Sequence, residues 1–343
     1  MNAYFEPQRQ EYIFPIDSQA FKTCHASNIC KMQNNELAAA WFAGEKEGSD
    51  DIAIWYARTE QGEWLTPQKV AHDKQEPHWN PVLYQKSDGE VLLFYKVGRK
   101  ISEWYTNLRK SSDFGQSFSN SEELVRGDRG GRGPVRCKVI TLSDGSMLAG
   151  TSVETGIWTA YADRSTDGGK TWYKSNSIQI PVEYHGECTA MGSGIKVSEQ
   201  SFYGRGVIQP TLWETTGKVH MLLRSTEGKI YRADSEDYGM TWGAAYATEL
   251  PNNNSGIDVV RCDDGLLVLC MNPIGVNWGA RTPIILMIST DDGATWEKEM
   301  ILEEIPGEYS YPAIIAAGDQ LYVTYTYDRK TIKFWQLKRK ENK

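Results

Sequence analysis

The stretch Arg164–Ser175, RSTDGGKTWYKS, decides the fold because its central motif recurs along the chain. The motif, Ser-x-Asp-x-Gly-x-Thr/Ser-aromatic, stands at Ser111–Phe118, Ser165–Trp172, Ser235–Trp242 and Ser289–Trp296. A degraded copy, ARTEQGEW, ends at Trp64. In such a turn the aspartate accepts backbone N–H bonds, the glycine adopts a conformation that other residues resist, and the aromatic ring packs beneath. We therefore predict a structural role for these turns and no catalytic one.

A second repeat, out of phase with the first, consists of two apolar strands joined by a tight turn, as in PVLYQKSDGEVLLFY at 81–95. Asp-Gly and related pairs between such strands predict β-hairpins. Six hairpins occur, and each is followed by a third strand such as Ile284–Ser289. Four-stranded units of ~50 residues are typical of propeller blades. The sequence therefore predicts an all-β fold, a six-bladed β-propeller.

The repeats predict one domain over residues 1–343, although length alone favours two domains at ~150 residues each. The segment YFEPQRQEYIF at 4–14 is expected to supply the outer strand that closes the ring onto TIKFWQLK at 331–338. The interval between the second and third motifs is longer than the others, which leaves room for an insertion or a seventh blade.

Composition excludes several classes of function. The chain has 37 Lys and Arg against 45 Asp and Glu, a net charge of −8, whereas nucleic-acid binding needs a dense basic patch. No apolar run reaches the ~18 residues of a spanning helix, and no secretory signal is seen, so we expect no membrane contact and a cytoplasmic location. Six scattered cysteines favour free thiols over disulfides or zinc. We expect no metal and no cofactor, and the sequence leaves the oligomeric state open.

Strand order predicts which face of the propeller carries the site. Both kinds of repeated turn fall on one face, so the segments before each hairpin and the loops after each second strand share the other, where function is expected. Cationic side chains converge there, which indicates an anionic ligand, since Arg suits two-point binding of a carboxylate. The predicted substrate-binding residues are Trp79, Asn80, Lys96, Lys138, Gln209, Arg224, Asp258, Asn272 and Arg281. Trp79 and Trp104 are candidates for stacking on a sugar ring.

The aspartate turns resemble the Asp-box repeats of the sialidase superfamily, from about His25 to Lys338. Segments such as CHAS (24–27), WNPVL (79–83) and GEYSYPAII (307–315) look like its BNR-repeat, exo-α-sialidase-like branch. That branch is related to β-propeller rhamnosyl-glucuronate lyases and rhamnosidases. The resemblance implies a sialidase-like propeller that acts on an acidic sugar.

The resemblance also implies roles for individual residues. The general acid of sialidases would fall near Asp50 or Asp51, and the nucleophile would be Tyr309 or Tyr311. Two arginines of the carboxylate-binding triad would be Arg224 and Arg281. His25 stands where true sialidases carry the third arginine, and this departure puts ordinary sialidase activity in question.

The leading hypothesis is an enzyme that cleaves a terminal glycosidic bond at an acidic sugar of an oligosaccharide. For a uronate we expect β-elimination, in which His25 moves the proton, because the pKa of a histidine lies near the operating pH. The carboxylate would be neutralised by Lys96, Lys138, Arg224 and Arg281.

Two alternatives stay open. The first is an exo-α-sialidase with Asp51 as acid and Tyr309 or Tyr311 as nucleophile, since a tyrosine nucleophile is a known exception to the two-carboxylate rule. The second is a glycan-binding propeller without catalysis, because a fold does not determine a function.

Overall fold

The computed structural model describes residues 4–72, 76–181 and 204–340. These residues form 25 β-strands and one short 3-10 helix, Ile101–Glu103. The strands group into six units, which we call blades 1 to 6.

Blade 1 contains β2 (Thr23–Lys31), β3 (Leu37–Gly44), β4 (Ala53–Glu60), β5 (Glu63–Trp64) and β6 (Gln68–Ala71). Blade 2 contains β7 (His78–Gln85), β8 (Val91–Val97), β9 (Tyr105–Ser111) and β10 (Glu122–Glu123). Blade 3 contains β11 (Ile140–Thr141), β12 (Met147–Val153), β13 (Ile157–Ser165) and β14 (Tyr173–Lys174).

The second half of the chain repeats this organisation. Blade 4 contains β15 (Arg205–Thr215), β16 (Lys218–Ser225), β17 (Lys229–Ser235) and β18 (Tyr246–Pro251). Blade 5 contains β19 (Asp258–Arg261), β20 (Leu267–Met271), β21 (Ile284–Ser289) and β22 (Glu297–Glu303). Blade 6 contains β23 (Tyr309–Ala317), β24 (Gln320–Tyr327), β25 (Thr331–Arg339) and, as its outer strand, β1 (Phe5–Tyr12). β1 runs antiparallel to β25, with Phe5 opposite Arg339.

Six hydrophobic clusters close the ring, because each joins two neighbouring blades. Trp41 of blade 1 packs in one cluster with Phe334 of blade 6, and Cys270 of blade 5 in another with Leu321 of blade 6. The other four clusters join the remaining neighbours in turn. Both faces of a blade are therefore buried, which explains why inner strands such as β8, VLLFYKV, are buried at every position. The fold is an all-β, six-bladed propeller across the described residues, as predicted.

Blades 3 and 4 are joined where β13 pairs in parallel with β15 over two residues, Ile157 with Arg205 and Trp158 with Gly206. Most of the interval in which the sequence leaves room for a seventh blade, residues 182–203, lies outside the described residues. So does Cys188, whereas the five described cysteines are free thiols. No helix of the described ranges is long and apolar enough to span a membrane.

The aspartate turns have the predicted chemistry. In the second copy, Asp167 accepts hydrogen bonds from the backbone N–H and the hydroxyl of Thr171 at 2.9 and 2.6 Å. Ser165 accepts from the backbone N–H of Gly169 at 2.8 Å, and the indole of Trp172 donates to the Gly169 carbonyl. The hydroxyl and the amide of Thr171 hold the pKa of Asp167 at about 2. The four turns are structural corners at the ends of the third strands of blades 2 to 5, β9, β13, β17 and β21.

Candidate functional site

A β-bulge lies at the same register of four innermost strands, and two of the bulged residues, Gln209 and Tyr311, contact Arg224. One extra residue interrupts the pairing of β2, β7, β15 and β23. The bulged residue has a positive φ in every case: 57° at Ala26, 43° at Asn80, 53° at Gln209 and 53° at Tyr311. Non-glycine residues rarely take this conformation, and bulges that re-aim a side chain are frequent beside active sites. In three of the four strands a proline follows the bulged residue, and its missing N–H suits a position where the ladder is broken.

Tyr311 lies at the centre of a cationic cluster. The guanidinium carbons of Arg136, Arg224 and Arg281 lie 5.3, 5.5 and 5.5 Å from the centroid of its ring. These arginines come from blades 3, 4 and 5, whereas Tyr311 belongs to blade 6. The Nη1 of Arg224 also donates to the Tyr311 hydroxyl oxygen at 2.7 Å. The stacking is favourable because a cation is attracted to the face of an aromatic ring.

Two buried amides hold Arg224 in place. Its Nε donates to Oδ1 of Asn254 at 3.0 Å, and its Nη1 donates to Oε1 of Gln209 at 3.1 Å. The oxygen of each amide accepts from Arg224, so the NH2 group of each amide does not bond to the guanidinium and remains a donor. The Nδ2 of Asn254 is buried without a partner, and the Nη2 of Arg224 has no hydrogen-bond partner among the described residues.

Arg281 belongs to a chain of ion pairs that ends at the loop after β3. Its Nη1 donates to Glu308 at 2.8 Å and to Ser310 at 3.3 Å. Arg329 donates to the same Glu308 oxygen at 2.8 Å and pairs with Glu47 of that loop. Burial opposes ionisation of Glu308, but the two arginines outweigh it and hold its pKa below the usual value. The Nη2 of Arg281 has no partner within the described chain.

Arg136 is buried behind the ring of Tyr311. Its Nη1 donates to the Ile257 carbonyl at 2.9 Å, and its Nη2 donates to the Pro312 carbonyl. Gly256 makes room for this packing, since a Cβ there would lie 3.1 Å from Nε of Arg136 and 3.3 Å from Cγ of Tyr311. Arg136 therefore fixes the position of the phenol.

His25 packs against the other side of Tyr311, with the ring centroids 4.2 Å apart. Its Nδ1 lies 3.0 Å from the hydroxyl oxygen of Thr326. The side chain is 2% exposed. Burial and the charges of the four nearby arginines, of which Arg329 and Arg281 contribute most, hold the pKa of His25 well below its ordinary value. His25 is therefore a neutral imidazole at pH 7.

The structure thus brings together five of the predicted residues: His25, Gln209, Arg224, Arg281 and Tyr311. Of the two tyrosines considered as nucleophile, Tyr309 lies in the core of blades 5 and 6, 2% exposed and packed against Tyr325 and Tyr327. Tyr311 is the one that the arginines contact.

The ammonium groups of the two predicted lysines, Lys96 and Lys138, bind to groups outside the arginine cluster. Lys96 is buried, and its ammonium donates to Thr106 at 2.7 Å and to the carbonyls of Arg132 and Gly133. Burial lowers the pKa of Lys96 to about 7. Lys138 forms an ion pair with Asp258 at 2.8 Å. None of these bonds reaches the arginine cluster.

Asp258 and Asn272 join neighbouring blades. Besides Lys138, Asp258 accepts from the hydroxyl of Thr211 at 2.6 Å and from the backbone N–H of Ile314 at 3.0 Å, so one carboxylate connects four blades. The Nδ2 of Asn272 donates to the Pro283 and Tyr309 carbonyls at 2.8 and 3.0 Å. Both side chains therefore hold the blades around the ring together.

The predicted stacking residues and the predicted acid lie apart from the cluster. Trp79 is 3% exposed, donates to the Gly98 carbonyl at 2.9 Å and packs against Trp104, so neither ring can stack on a sugar. Asn80 is buried in the bulge of β7. Asp51 is exposed and accepts from the backbone N–H of Glu45 at 2.8 Å, which caps the loop after β3.

Sequence reasoning missed several residues of the site. Arg136 and Asn254 fall in segments that the strand order places on the functional face, but neither they nor Glu308 and Thr326 were assigned as site residues, and each contacts a side chain of the cluster. Their roles depend on contacts between blades, which no local motif encodes.

The comparisons with known proteins agree with this architecture. A crystal structure of a protein of unknown function from Dyadobacter fermentans is similar, with a TM-score of 0.75 and 15% identity over 98% of this chain and 100% of the other. The Hadza microbial sialidase Hz136 has the same TM-score and identity over 96% of this chain and 68% of its own. The NanB sialidase of Streptococcus pneumoniae has a TM-score of 0.71 and 13% identity, over 96% and 70%. At these identities the likeness shows the fold.

No curated protein matches the sequence. The family model of the BNR repeat-like domain matches residues 35–323, which covers most of the chain and includes the whole of blades 2 to 5. The repeated aspartate turns, the six blades and this match lead to one assignment: the chain belongs to the BNR repeat-like family and has the sialidase fold.

Proposed function

We propose that this protein is an enzyme that cleaves the terminal glycosidic bond of an acidic sugar. The observation that carries the proposal is the packing of Arg136, Arg224 and Arg281 around the ring of Tyr311. Family membership and fold support a glycan-related function, without specifying the sugar or the reaction.

The charge of the cluster favours an anionic ligand. The hydrogen bonds of Arg136 and Arg224 go to neutral acceptors. The carboxylate that interacts electrostatically with Arg224 is that of Glu154, and burial raises the pKa of Glu154 to about 7, so its negative charge is only partial at neutral pH. Nη2 of Arg224 and Nη2 of Arg281 stay free to donate to a carboxylate. A buried cation without an anionic partner is costly in a folded protein, and a bound carboxylate would supply that partner.

For a uronate we propose β-elimination at Tyr311. Binding of the carboxylate by Arg224 and Arg281 acidifies the neighbouring C–H. A base takes that proton, a carbon–carbon double bond forms, the bond to the leaving sugar oxygen breaks, and that oxygen is protonated. Tyr311 is the proton-transfer group that the arginines contact, and the ring of His25 packs beside it.

Hydrolysis of a sialoside is the second candidate, and the likeness of the fold to sialidases favours it. Tyr311 would then be the nucleophile, as in the glycosidases that use tyrosine. Asp51, the predicted acid, would have to leave the backbone of Glu45 to protonate the leaving group.

The test is to incubate the purified protein with a rhamnosyl-glucuronate oligosaccharide and, separately, with sialyl-lactose. Ultraviolet absorbance of an unsaturated uronate indicates elimination, and free sialate indicates hydrolysis. We expect Tyr311→Phe to abolish turnover, whereas Tyr309→Phe is the matched control and should retain it. If both sugars bind saturably but neither product forms, the proposed enzymatic activity is refuted, and a glycan-binding propeller without catalysis is the remaining function.

A further inference from the structure

We propose that Thr326 is a positioning residue that fixes His25 as the neutral tautomer with its proton on Nε2. His25 then presents an N–H donor to the bound sugar rather than a base. The inference rests on the proposed function only for the identity of the ligand, since the tautomer is a property of the free protein.

The hydroxyl of Thr326 decides the tautomer. Its oxygen accepts the backbone N–H of Ala26 at 3.1 Å and lies 3.0 Å from Nδ1 of His25. The side chain is 0% exposed, and within the described chain Nδ1 is the one acceptor that its single proton can reach. A buried hydroxyl that donates to nothing is costly. Thr326 therefore donates to Nδ1, which carries no proton.

The surroundings keep the ring neutral, so the remaining proton resides on Nε2. Arg136, Arg224, Arg281 and Arg329 all oppose a positive charge on His25, and burial adds to their effect. Glu308 and Glu47 are already bound by arginines. Glu154, the carboxylate that interacts with Arg224, has its pKa raised to about 7 by burial. On the remaining sides lie the rings of Phe42 and Tyr311, which supply no carboxylate.

The result is a site lined with donors. Nε2 of His25 has no hydrogen-bond partner within the described ranges. It joins the NH2 group of Gln209 and the Nη2 groups of Arg224 and Arg281, whereas the Nδ2 of Asn254 is buried. Four groups that donate suit the acceptor oxygens of a carboxylate and of a sugar ring. An imidazole with Nε2 as acceptor would instead favour a ligand hydroxyl or ammonium at this position.

Nuclear magnetic resonance of the free protein with isotope-labelled histidine tests the tautomer, and His25→Gln identifies the signals of His25. We expect an unprotonated Nδ1 and a protonated Nε2 in the natural chain, and the same pattern in Thr326→Ser, which keeps the hydroxyl. In Thr326→Asp the carboxylate can only accept, so the proton should move to Nδ1. A natural chain with a protonated Nδ1, or an aspartate variant with an unchanged pattern, overturns the proposal. If the aspartate variant does not fold, the natural chain and the serine variant decide.

Titration with glucuronic acid tests the donor role. We expect the Nε2–H signal of His25 to shift on binding, and the shift to be lost in Arg281→Ala at the same sugar concentration. A Nε2–H signal that does not move while glucuronic acid saturates the protein refutes this role. Failure of the proposed function shows itself differently, as absent turnover with the tautomer intact.

Discussion

Replacing Arg281 by alanine should separate ligand binding from folding. The variant loses the ion pair with Glu308, but Glu308 keeps Arg329 at 2.8 Å, so the free energy of unfolding should fall by no more than about 1 kcal/mol, as for a partly exposed pair. A substrate carboxylate would lose a charge-assisted hydrogen bond worth about 1.5–3 kcal/mol. At about 1.4 kcal/mol per tenfold, kcat/KM should fall by roughly 10- to 150-fold.

The assay compares an acidic substrate with its uncharged methyl ester. The loss should be confined to the acid, because the ester presents no charge for Arg281 to bind. The matched control is Arg164→Ala: Arg164 is exposed to a similar extent, pairs with Asp144, and lies beside the second aspartate turn, away from Tyr311. Equal losses on acid and ester, or an equal effect of the control, would refute the assignment of the carboxylate to Arg281.

Three further predictions concern stability and packing. In the folded protein the pKa of His25 lies well below its ordinary value, whereas the unfolded chain gains a proton at His25 below about pH 6.5, so stability falls with falling pH. His25→Gln should remove up to about 1.4 kcal/mol per pH unit of that slope, measured by urea unfolding between pH 6 and 5. Asp291→Ala removes the bonds to Thr295 and should cost about 1 kcal/mol in the same assay without changing kcat/KM; a loss of activity would contradict the structural role of the turns. Gly256→Ala should displace Arg136 and lower kcat by roughly tenfold or more with a smaller effect on melting; unchanged kinetics would refute the need for this packing.

The blades could be predicted from sequence because their signals are local. An Asp-Gly pair between apolar strands forms a hairpin, and an aspartate such as Asp167 satisfies its own turn, so neither needs information from elsewhere in the chain. The side of the ring on which Arg224, Arg281 and Tyr311 lie follows from strand direction alone. These predictions hold because they require only the order of the strands.

The contacts between blades could not be predicted in the same way. Lys96 and Lys138 were expected to bind substrate, but the carbonyl of Arg132 and the carboxylate of Asp258 reach them only after the ring has closed. Trp79 was expected to face a sugar, and the bulge of β7 instead leaves it packed against Trp104. A lysine or a tryptophan gives no local sign of which neighbour will cover it.

A crystal structure of the protein with a bound acidic sugar is the most direct test of the cationic cluster as the substrate site. We expect the sugar carboxylate within hydrogen-bond distance of Nη2 of Arg224 and Nη2 of Arg281, with the sugar ring beside Tyr311 and one oxygen facing Nε2 of His25. A sugar bound elsewhere on the propeller, or one bound here with its carboxylate turned to solvent, would contradict it.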